Sequence, residues 1–146
     1  MSADPITTAV GYLRVASGSA RKRDRSVYLQ RQAILRYAKM NRIRMARFFA
    51  DHACISDITM RQGLSDAMAY IASGKASVLV VADLTRLSRN LEDLLCFVEQ
   101  QRILTGGPAL ISVQEQIDTR TSEGLSMLGT IHALACWESS DLGSGV

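Results

Sequence analysis

Hydrophobic positions along the chain alternate between short continuous runs and longer stretches in which they recur at helical spacing. The continuous runs are rich in Val, Ile, Leu and Ala, as buried strands are, and they span 9–15, 45–50, 78–82 and 109–113. Apolar residues recur every three or four positions in the stretches between and after them, which predicts helices over 27–40, 61–73, 90–103 and 122–137. Strands alternating with helices favour a parallel sheet with right-handed crossovers. The predicted fold class is therefore α/β, with a parallel-type sheet of about four to five strands flanked by helices and ending in a long helix.

Capping residues mark where these helices begin and end. Ser26, Asn90 and Ser122 each precede a helical stretch and are typical N-caps. Gly74 follows the second helix at the C′ position, where glycine is favoured. Residues 114–121 are polar and without periodicity, which predicts a loop before the last helix.

Length and composition indicate one domain. The chain has 146 residues and 47% hydrophobic residues, enough for a substantial core, which we expect to occupy residues 1–138. Residues 139–146 have no periodicity and are expected to form a disordered tail. No apolar run approaches the roughly 20 residues of a membrane span, and the first residues do not resemble a signal peptide. The three cysteines are odd in number and lack the spacing of a metal site, as expected in a cytoplasmic protein without a metal centre.

Basic residues concentrate in the first third of the chain. Residues 1–50 hold 11 Lys or Arg and 2 acidic residues, whereas 51–146 hold 6 and 12. The densest patch is 21–25. A basic surface favours a polyanionic partner through counterion release, and the alternative for this patch is a solvated, mobile loop.

Two arginines follow the most apolar of the predicted strands. Arg86 and Arg89 lie three residues apart, directly before the cap at Asn90. Side chains at the carboxyl end of a buried strand in an α/β sheet emerge into a crevice. Two guanidiniums there can hold a phosphate or a carboxylate through forked hydrogen bonds. The alternative is that both are ordinary surface arginines at the start of a helix.

Five motifs, in order, resemble the catalytic domain of the resolvase/invertase serine recombinases. They cover the chain from about Gly11 to Glu138. The matching segments are Gly11–Val15, Ser26–Gln30, Asp51 with Arg61–Leu64, Thr85–Asn90, and Gln116–Thr119 with Gly124. The most specific of them is Thr85–Asn90, which is similar to the D-R-L-x-R motif of that family.

The resemblance implies a chemistry. Family members cleave and rejoin DNA through a 5′-phosphoserine intermediate within a tetramer, and they use no cofactor or metal. The expected partners are therefore DNA and further copies of the chain, or an intact recombinase, associated through the last helix, with no membrane and in a bacterial or mobile-element cytoplasm. The catalytic residues that the resemblance implies are Ser17, Arg14, Arg61, Arg86 and Arg89. The implied phosphate-binding residues are Arg14, Gln30, Arg86 and Arg89. The implied supporting residues are Tyr12, Asp51 and Asp83.

The nucleophile departs from the family pattern. The family has serine directly after R-V, where this chain has Ala16, and the nearest serine is Ser17. Because successive side chains of a strand point to opposite faces, a regular strand would turn Ser17 away from the arginines. A bulge or an early turn at Gly18 would bring it back. Thr85 also stands where many members have aspartate, and Asp83 is the expected substitute.

The end of the chain departs as well. Glu138 is followed by two serines instead of arginine, and no DNA-binding domain is expected after it. An alternative function is therefore a catalytically inactive, truncated recombinase that acts as a DNA-binding or oligomerisation partner or regulator. Its interface would be an apolar stripe on the last helix: Leu125, Leu128, Ile131 and Ala135. A third reading, a phosphoacceptor at Asp51, is disfavoured because such sites need clustered carboxylates for a divalent cation.

Overall fold

The computed structural model of the chain describes residues 6–15, 18–52, 60–88 and 90–144, with the side chains of the last helix described as far as Leu134. Within these ranges, strands and helices alternate along the chain. Their order is β1 (Thr7–Val15), α1 (Ala20–Met40), β2 (Ile43–His52), α2 (Gln62–Ala72), β3 (Val78–Val81), α3 (Leu91–Gln100), β4 (Ala109–Ser112), β5 (Ile117–Asp118) and α4 (Ser122–Ser144). A single 3-10 turn, Leu84–Arg86, follows β3.

The five strands form one sheet in the order β2-β1-β3-β4-β5. The first four are parallel, and only β5 runs antiparallel to its neighbour β4. Strand β3 lies in the middle, and all four of its residues are buried. The predicted α/β class is therefore confirmed, and the most apolar run of the sequence is the central strand because helices cover both of its faces.

The core has one layer on each face of the sheet. Val10 and Tyr12 of β1 point into a cluster with α2, α3 and α4, and we call this side the α2 face. Ala9 and Leu13 point the other way, into a cluster with α1. This alternation is the two-residue period of a strand, and it decides which β1 side chains can share a site.

Helix α1 begins earlier than the sequence predicts. It starts at Ala20, and its N-cap is Ser19, whose side chain accepts a hydrogen bond from the Lys22 N–H at 3.2 Å. The expected cap, Ser26, lies inside the helix, so that prediction was wrong. The basic patch at 21–25 is helical rather than a loop, because Arg and Lys are strong helix formers once a cap precedes them.

The second half of the chain confirms some expected boundaries and changes others. Asn90 caps α3 as predicted, accepting from the Glu92 N–H at 2.9 Å, and Gly74 has the positive φ of a C′ residue, 86°. The predicted polar loop contains the short strand β5. Helix α4 is capped from outside by Thr121, whose Oγ1 accepts from the Gly124 N–H at 3.0 Å, rather than by Ser122.

The last helix also extends further than expected. It continues to Ser144, so residues 139–144 are helical where a disordered tail was predicted. None of the helices in the described part of the chain is both long and apolar enough to cross a membrane.

Strand β2 contains an irregularity that changes which of its side chains share a face. Thr8 pairs with Arg44, but Val10 pairs with Arg47, so Ala46 is an extra residue without a partner in β1. Paired residues of adjacent strands point to the same side of a sheet, and a bulge of this kind resets the alternation. Arg44 and Arg47 therefore both point to the α2 face, although three residues separate them.

Candidate active site

The site lies at the carboxyl ends of β1, β2 and β3, on the α2 face. Tyr12 and Arg14 are two residues apart on β1, and so they point the same way. Arg14 pairs across the ladder with Asp51, the last buried residue of β2. Three of the polar residues singled out from the sequence are thus brought together by strand register alone.

Asp51 is the centre of the hydrogen-bond network. Its carboxylate accepts from the Tyr12 hydroxyl at 2.8 Å, from the Gly63 N–H at 2.8 Å and from the Leu64 N–H at 2.9 Å. The N-cap residue of α2, Arg61, makes no side-chain capping bond. Asp51 therefore satisfies the first amides of α2 from a neighbouring strand, and its negative charge lies where a helix N-terminus favours one.

The approach of α2 to β2 depends on Gly63. A Cβ atom at this position would lie 2.3 Å from the carbonyl oxygen of Ala50. No side chain fits there without moving the start of α2, and Arg61 would move with it.

Arg61 is buried, with only 1% of its surface exposed. Its Nη1 donates to the carbonyl of Arg86 at 3.2 Å and makes a short hydrogen bond to the carbonyl of Leu87. These bonds tie the start of α2 to the 3-10 turn that carries Arg86. A buried guanidinium needs acceptors for its donors, and the two carbonyls satisfy part of that need.

Tyr12 has a strongly perturbed hydroxyl. Burial raises the pKa of Tyr12 far above its usual value of 10.0, and the hydrogen bond to Asp51 raises that pKa further. Arg61 opposes both effects by stabilising a phenolate, but more weakly. The hydroxyl therefore stays protonated and serves as a fixed donor to Asp51.

This raised pKa predicts a pH dependence of stability. Above about pH 10 the unfolded chain loses the Tyr12 proton while the folded chain keeps it, so the free energy of unfolding should fall as pH rises, at a limiting slope of about 1.4 kcal/mol per pH unit. The free energy of unfolding of Tyr12→Phe should fall less steeply than that of the parent over the same pH range. Urea denaturation at successive pH values measures both. Tyr28→Phe, at an exposed tyrosine, is the matched control and should retain the parental slope. Equal slopes for parent and Tyr12→Phe would contradict this assignment.

The 3-10 turn holds Arg86 through Asp83. The Asp83 carboxylate caps the turn by accepting from the Thr85 N–H at 3.0 Å, and it also accepts a short hydrogen bond from the Thr85 hydroxyl. Arg86 Nε lies 3.2 Å from the same carboxylate, an ion pair without the geometry of a hydrogen bond. Asp83 and Thr85 thus form one unit that orients Arg86.

Gln30 holds the end of β1 in place. It accepts from the Arg14 N–H at 3.0 Å and donates to the Arg14 carbonyl at 2.9 Å, like a further strand residue. Its amide also donates to Ser26, at 3.1 Å to the hydroxyl and 3.2 Å to the carbonyl. Gln30 is buried, and these contacts occupy its acceptor and donors. It therefore fixes the backbone of Arg14, which is half-buried.

Glu115 belongs to the site but was not singled out from the sequence. Its carboxylate accepts from the Leu84 N–H at 3.2 Å and, through a short hydrogen bond, from the hydroxyl of buried Ser112. It thereby joins the end of β4 to the start of the 3-10 turn. The only signal in the sequence was an acidic residue in a polar loop after a strand, and nothing there indicated its partners.

The predicted nucleophile, Ser17, and one predicted arginine, Arg89, lie outside the described residues, as does Ala16 at the usual position of the family's serine. Strand β1 ends at Val15, and Gly18 has a φ of 117°, in the region that favours glycine. The direction of the Ser17 side chain therefore stays a prediction from the sequence. Ser19 is engaged as the cap of α1.

Across the described ranges, no group of three or more His, Cys, Asp or Glu side chains could hold a metal ion. The described side chains of the site are arginines, a tyrosine hydroxyl, carboxylates and the amide of Gln30.

Comparisons with known proteins identify this arrangement. The family model for the resolvase N-terminal domain matches residues 9–145. The crystal structure of the N-terminal catalytic domain of TP901-1 integrase has the same fold, with a TM-score of 0.77 and 22% identity over 92% of this chain and 98% of that one. A resolvase family site-specific recombinase from Streptococcus pneumoniae is also similar, with a TM-score of 0.70 and 24% identity over 93% of this chain and 90% of that one. A comparison with curated proteins found no match. The chain belongs to the resolvase family, and its fold is that of a serine recombinase catalytic domain.

Proposed function

We propose that the chain cleaves and rejoins DNA strands through a 5′-phosphoserine intermediate, with Ser17 as the nucleophile. The observation that carries the proposal is a hydrogen bond between the start of α2 and the 3-10 turn. Buried Arg61, before α2, donates to the backbone carbonyl of Arg86 in that turn. Arg14 lies on the same face of the sheet, at the end of the adjacent strand β1. Convergent guanidiniums are suited to a phosphodiester, because each presents donors in a fixed fork.

The proposed step balances as a displacement at phosphorus. The Ser17 oxygen loses its proton and forms a bond to the phosphorus, while the bond from phosphorus to the 3′ oxygen breaks and that oxygen gains a proton. Rejoining is the reverse reaction on an exchanged strand end. Negative charge grows on the nonbridging oxygens during both steps, and preorganised cations stabilise it.

The arginines divide this work. Arg14, Arg86 and Arg89 are assigned to the phosphate oxygens. Arg61 is assigned first to positioning, because its Nη1 donates to two backbone carbonyls that fix the turn bearing Arg86. Gln30 and Asp51 act in the same way, on the backbone of Arg14 and on the start of α2.

Covalent trapping tests the proposal. The protein is incubated with a nicked or mismatched DNA substrate, denatured and analysed for a protein–DNA adduct by gel electrophoresis and mass spectrometry. We expect an adduct from the parent that maps to Ser17 and disappears in Ser17→Ala, because only an activated hydroxyl can form the phosphoserine bond. The substitution Ala16→Ser places a serine directly after Val15, as in the family pattern. An adduct from Ala16→Ser but not from the parent would contradict Ser17 as the nucleophile and leave an otherwise competent arginine site.

A second candidate function is a partner or regulator of an intact recombinase, acting as an oligomer through its last helix. The observation that favours it is the set of exposed apolar side chains on α4, Leu125, Met127 and Leu134, with exposed fractions of 36%, 48% and 57%. Two members of the stripe expected from the sequence contribute instead to the core, since Leu128 is buried and Ile131 packs against it. Absence of any adduct, together with a mixed oligomer seen by light scattering, would favour this function over cleavage.

A further inference from the structure

Three exposed cations lie together on the α2 face, beside the open edge of the sheet: Arg44, Arg47 and Lys75. We call them the basic cluster. The guanidinium carbon of Arg47 lies 5.0 Å from the centre of the Phe49 ring and 5.8 Å from that of Tyr70. The Lys75 Nζ lies 5.5 Å from the centre of the same Tyr70 ring. Aromatic faces attract cations at these distances, so two of the charges are held in place before any partner arrives.

The bulge in β2 completes the basic cluster. In a regular strand, the three-residue spacing of Arg44 and Arg47 would place them on opposite faces of the sheet. With it, the two arginines are paired with Thr8 and Val10 and point the same way, about 7 Å apart along the strand direction. The irregularity thus aligns positive charges on a single surface.

No carboxylate neutralises this surface in the part of the chain that the structure describes. The ion pairs in the described residues lie elsewhere and join Arg86 to Asp83, Arg120 to Asp118 and His132 to Glu99. Strand β2 is the edge of the sheet, and like charges along that edge oppose its pairing with a second copy of itself. An anionic partner would complement the charge of this surface.

The basic cluster is distant from the candidate active site. Arg44 pairs with Thr8 near the start of β1, and Lys75 lies just before β3 begins. Arg14, at the other end of β1, is six residues from Thr8, or about 20 Å along the strand, and four residues from Val10, the partner of Arg47, or about 13 Å. A phosphate bound at one end is therefore not the phosphate bound at the other.

We propose that the basic cluster binds phosphates of the DNA backbone other than the phosphate held in the active site. The proposal rests on the proposed function only for the choice of DNA as the polyanion, and its test needs no cleavage. A flat sheet edge offers no element to insert into a groove, so this contact reads charge rather than base sequence. Its contribution to affinity comes from counterion release and weakens with salt.

The test is fluorescence anisotropy with a short labelled duplex of arbitrary sequence, titrated at salt concentrations from about 50 to about 200 mM. The slope of log affinity against log salt should be smaller by about 0.9 in Arg47→Gln and by about 1.8 in Arg44→Gln/Arg47→Gln than in the parent. Arg102→Gln is the matched control, because it removes one exposed positive charge from the α3–β4 connection, three strands away from β2. It should leave the slope unchanged.

Two further variants separate this inference from the rest of the molecule. Tyr70→Leu keeps every charge but removes the ring beneath Arg47 and Lys75, so it should retain the parental slope and weaken binding about two- to fivefold. Ser17→Ala should bind the duplex like the parent even though it forms no adduct. Equal slopes for the parent and the double variant, or no measurable binding by the parent at low salt, would overturn the proposal whatever the result of the trapping experiment.

Discussion

Replacing Arg61 with methionine is expected to lower the free energy of unfolding by about 4 kcal/mol. The side chain is 1% exposed, and its guanidinium donates to the carbonyls of Arg86 and Leu87. Methionine matches its unbranched shape but supplies no donor, so two backbone carbonyls lose a charged partner. Hydrogen bonds to a charged group contribute about 1.5–3 kcal/mol each, and leaving an acceptor unsatisfied in the interior adds to the loss.

Urea denaturation measures this effect as a fall in the transition midpoint with an unchanged m-value. Arg47→Met is the matched control, because that arginine is exposed and packs on aromatic rings rather than bonding to the backbone. It should change the free energy of unfolding by less than about 1 kcal/mol. A similar small effect of Arg61→Met would mean that the two carbonyl contacts do not stabilise the fold.

Replacing Arg86 with glutamine should slow adduct formation about a hundredfold while hardly changing stability. The Arg86 side chain is 29% exposed, and Asp83, with which it forms an ion pair, lies next to it in the same turn. Partly exposed ion pairs contribute at most about 1 kcal/mol to folding. In the transition state, by contrast, the guanidinium faces charge that develops away from bulk water, where a fixed donor has its largest effect.

Single-turnover trapping at saturating DNA measures this rate without a contribution from binding. Asp83→Asn is the companion variant, because it keeps Arg86 but removes the carboxylate that orients it and that also caps the turn. Its rate should lie between those of the parent and Arg86→Gln. An Arg86→Gln protein that forms adduct at the parental rate would remove Arg86 from the phosphate-binding set.

The central strand and the cap of α3 were predictable because their signals are local. Val78–Val81 is a continuous apolar run, and such a run can be accommodated in a sheet covered on both faces. Asn90 forms its capping bond two residues along the chain, so its role needs no tertiary information.

The boundaries that the sequence placed wrongly depend on competition between neighbouring signals. Ser19 and Ser26 are both good N-caps, and the basic residues between them were compatible with either a loop or a helix. The start of α4 has the same ambiguity, because Thr121 and Ser122 are both good N-caps and only Thr121 accepts the capping bond. Strand β5 has two residues, too few for a periodic pattern to identify.

The composition of the candidate site was suggested by family resemblance, but the division of tasks within it was not. Gln30 bonds to the backbone of Arg14, and Asp51 caps α2 rather than facing open space. Both roles depend on contacts between segments that are distant in the sequence. Glu115 was missed for the same reason, since it reaches the site by accepting from the N–H of Leu84, 31 residues away in the 3-10 turn. Residue types limit what a site can do, whereas tertiary pairing decides which atoms do it.

The extra residue in β2 also makes the length of that strand adjustable at one point. Deleting Ala46 by a single-codon event would restore regular pairing and leave Arg44 opposite Thr8, on the same face as Arg47. The half beyond the bulge would keep its register with β1, so Asp51 would still meet Tyr12 and α2. The strand can thus lose this one residue in evolution while keeping both the charged surface at its start and the chemistry at its other end.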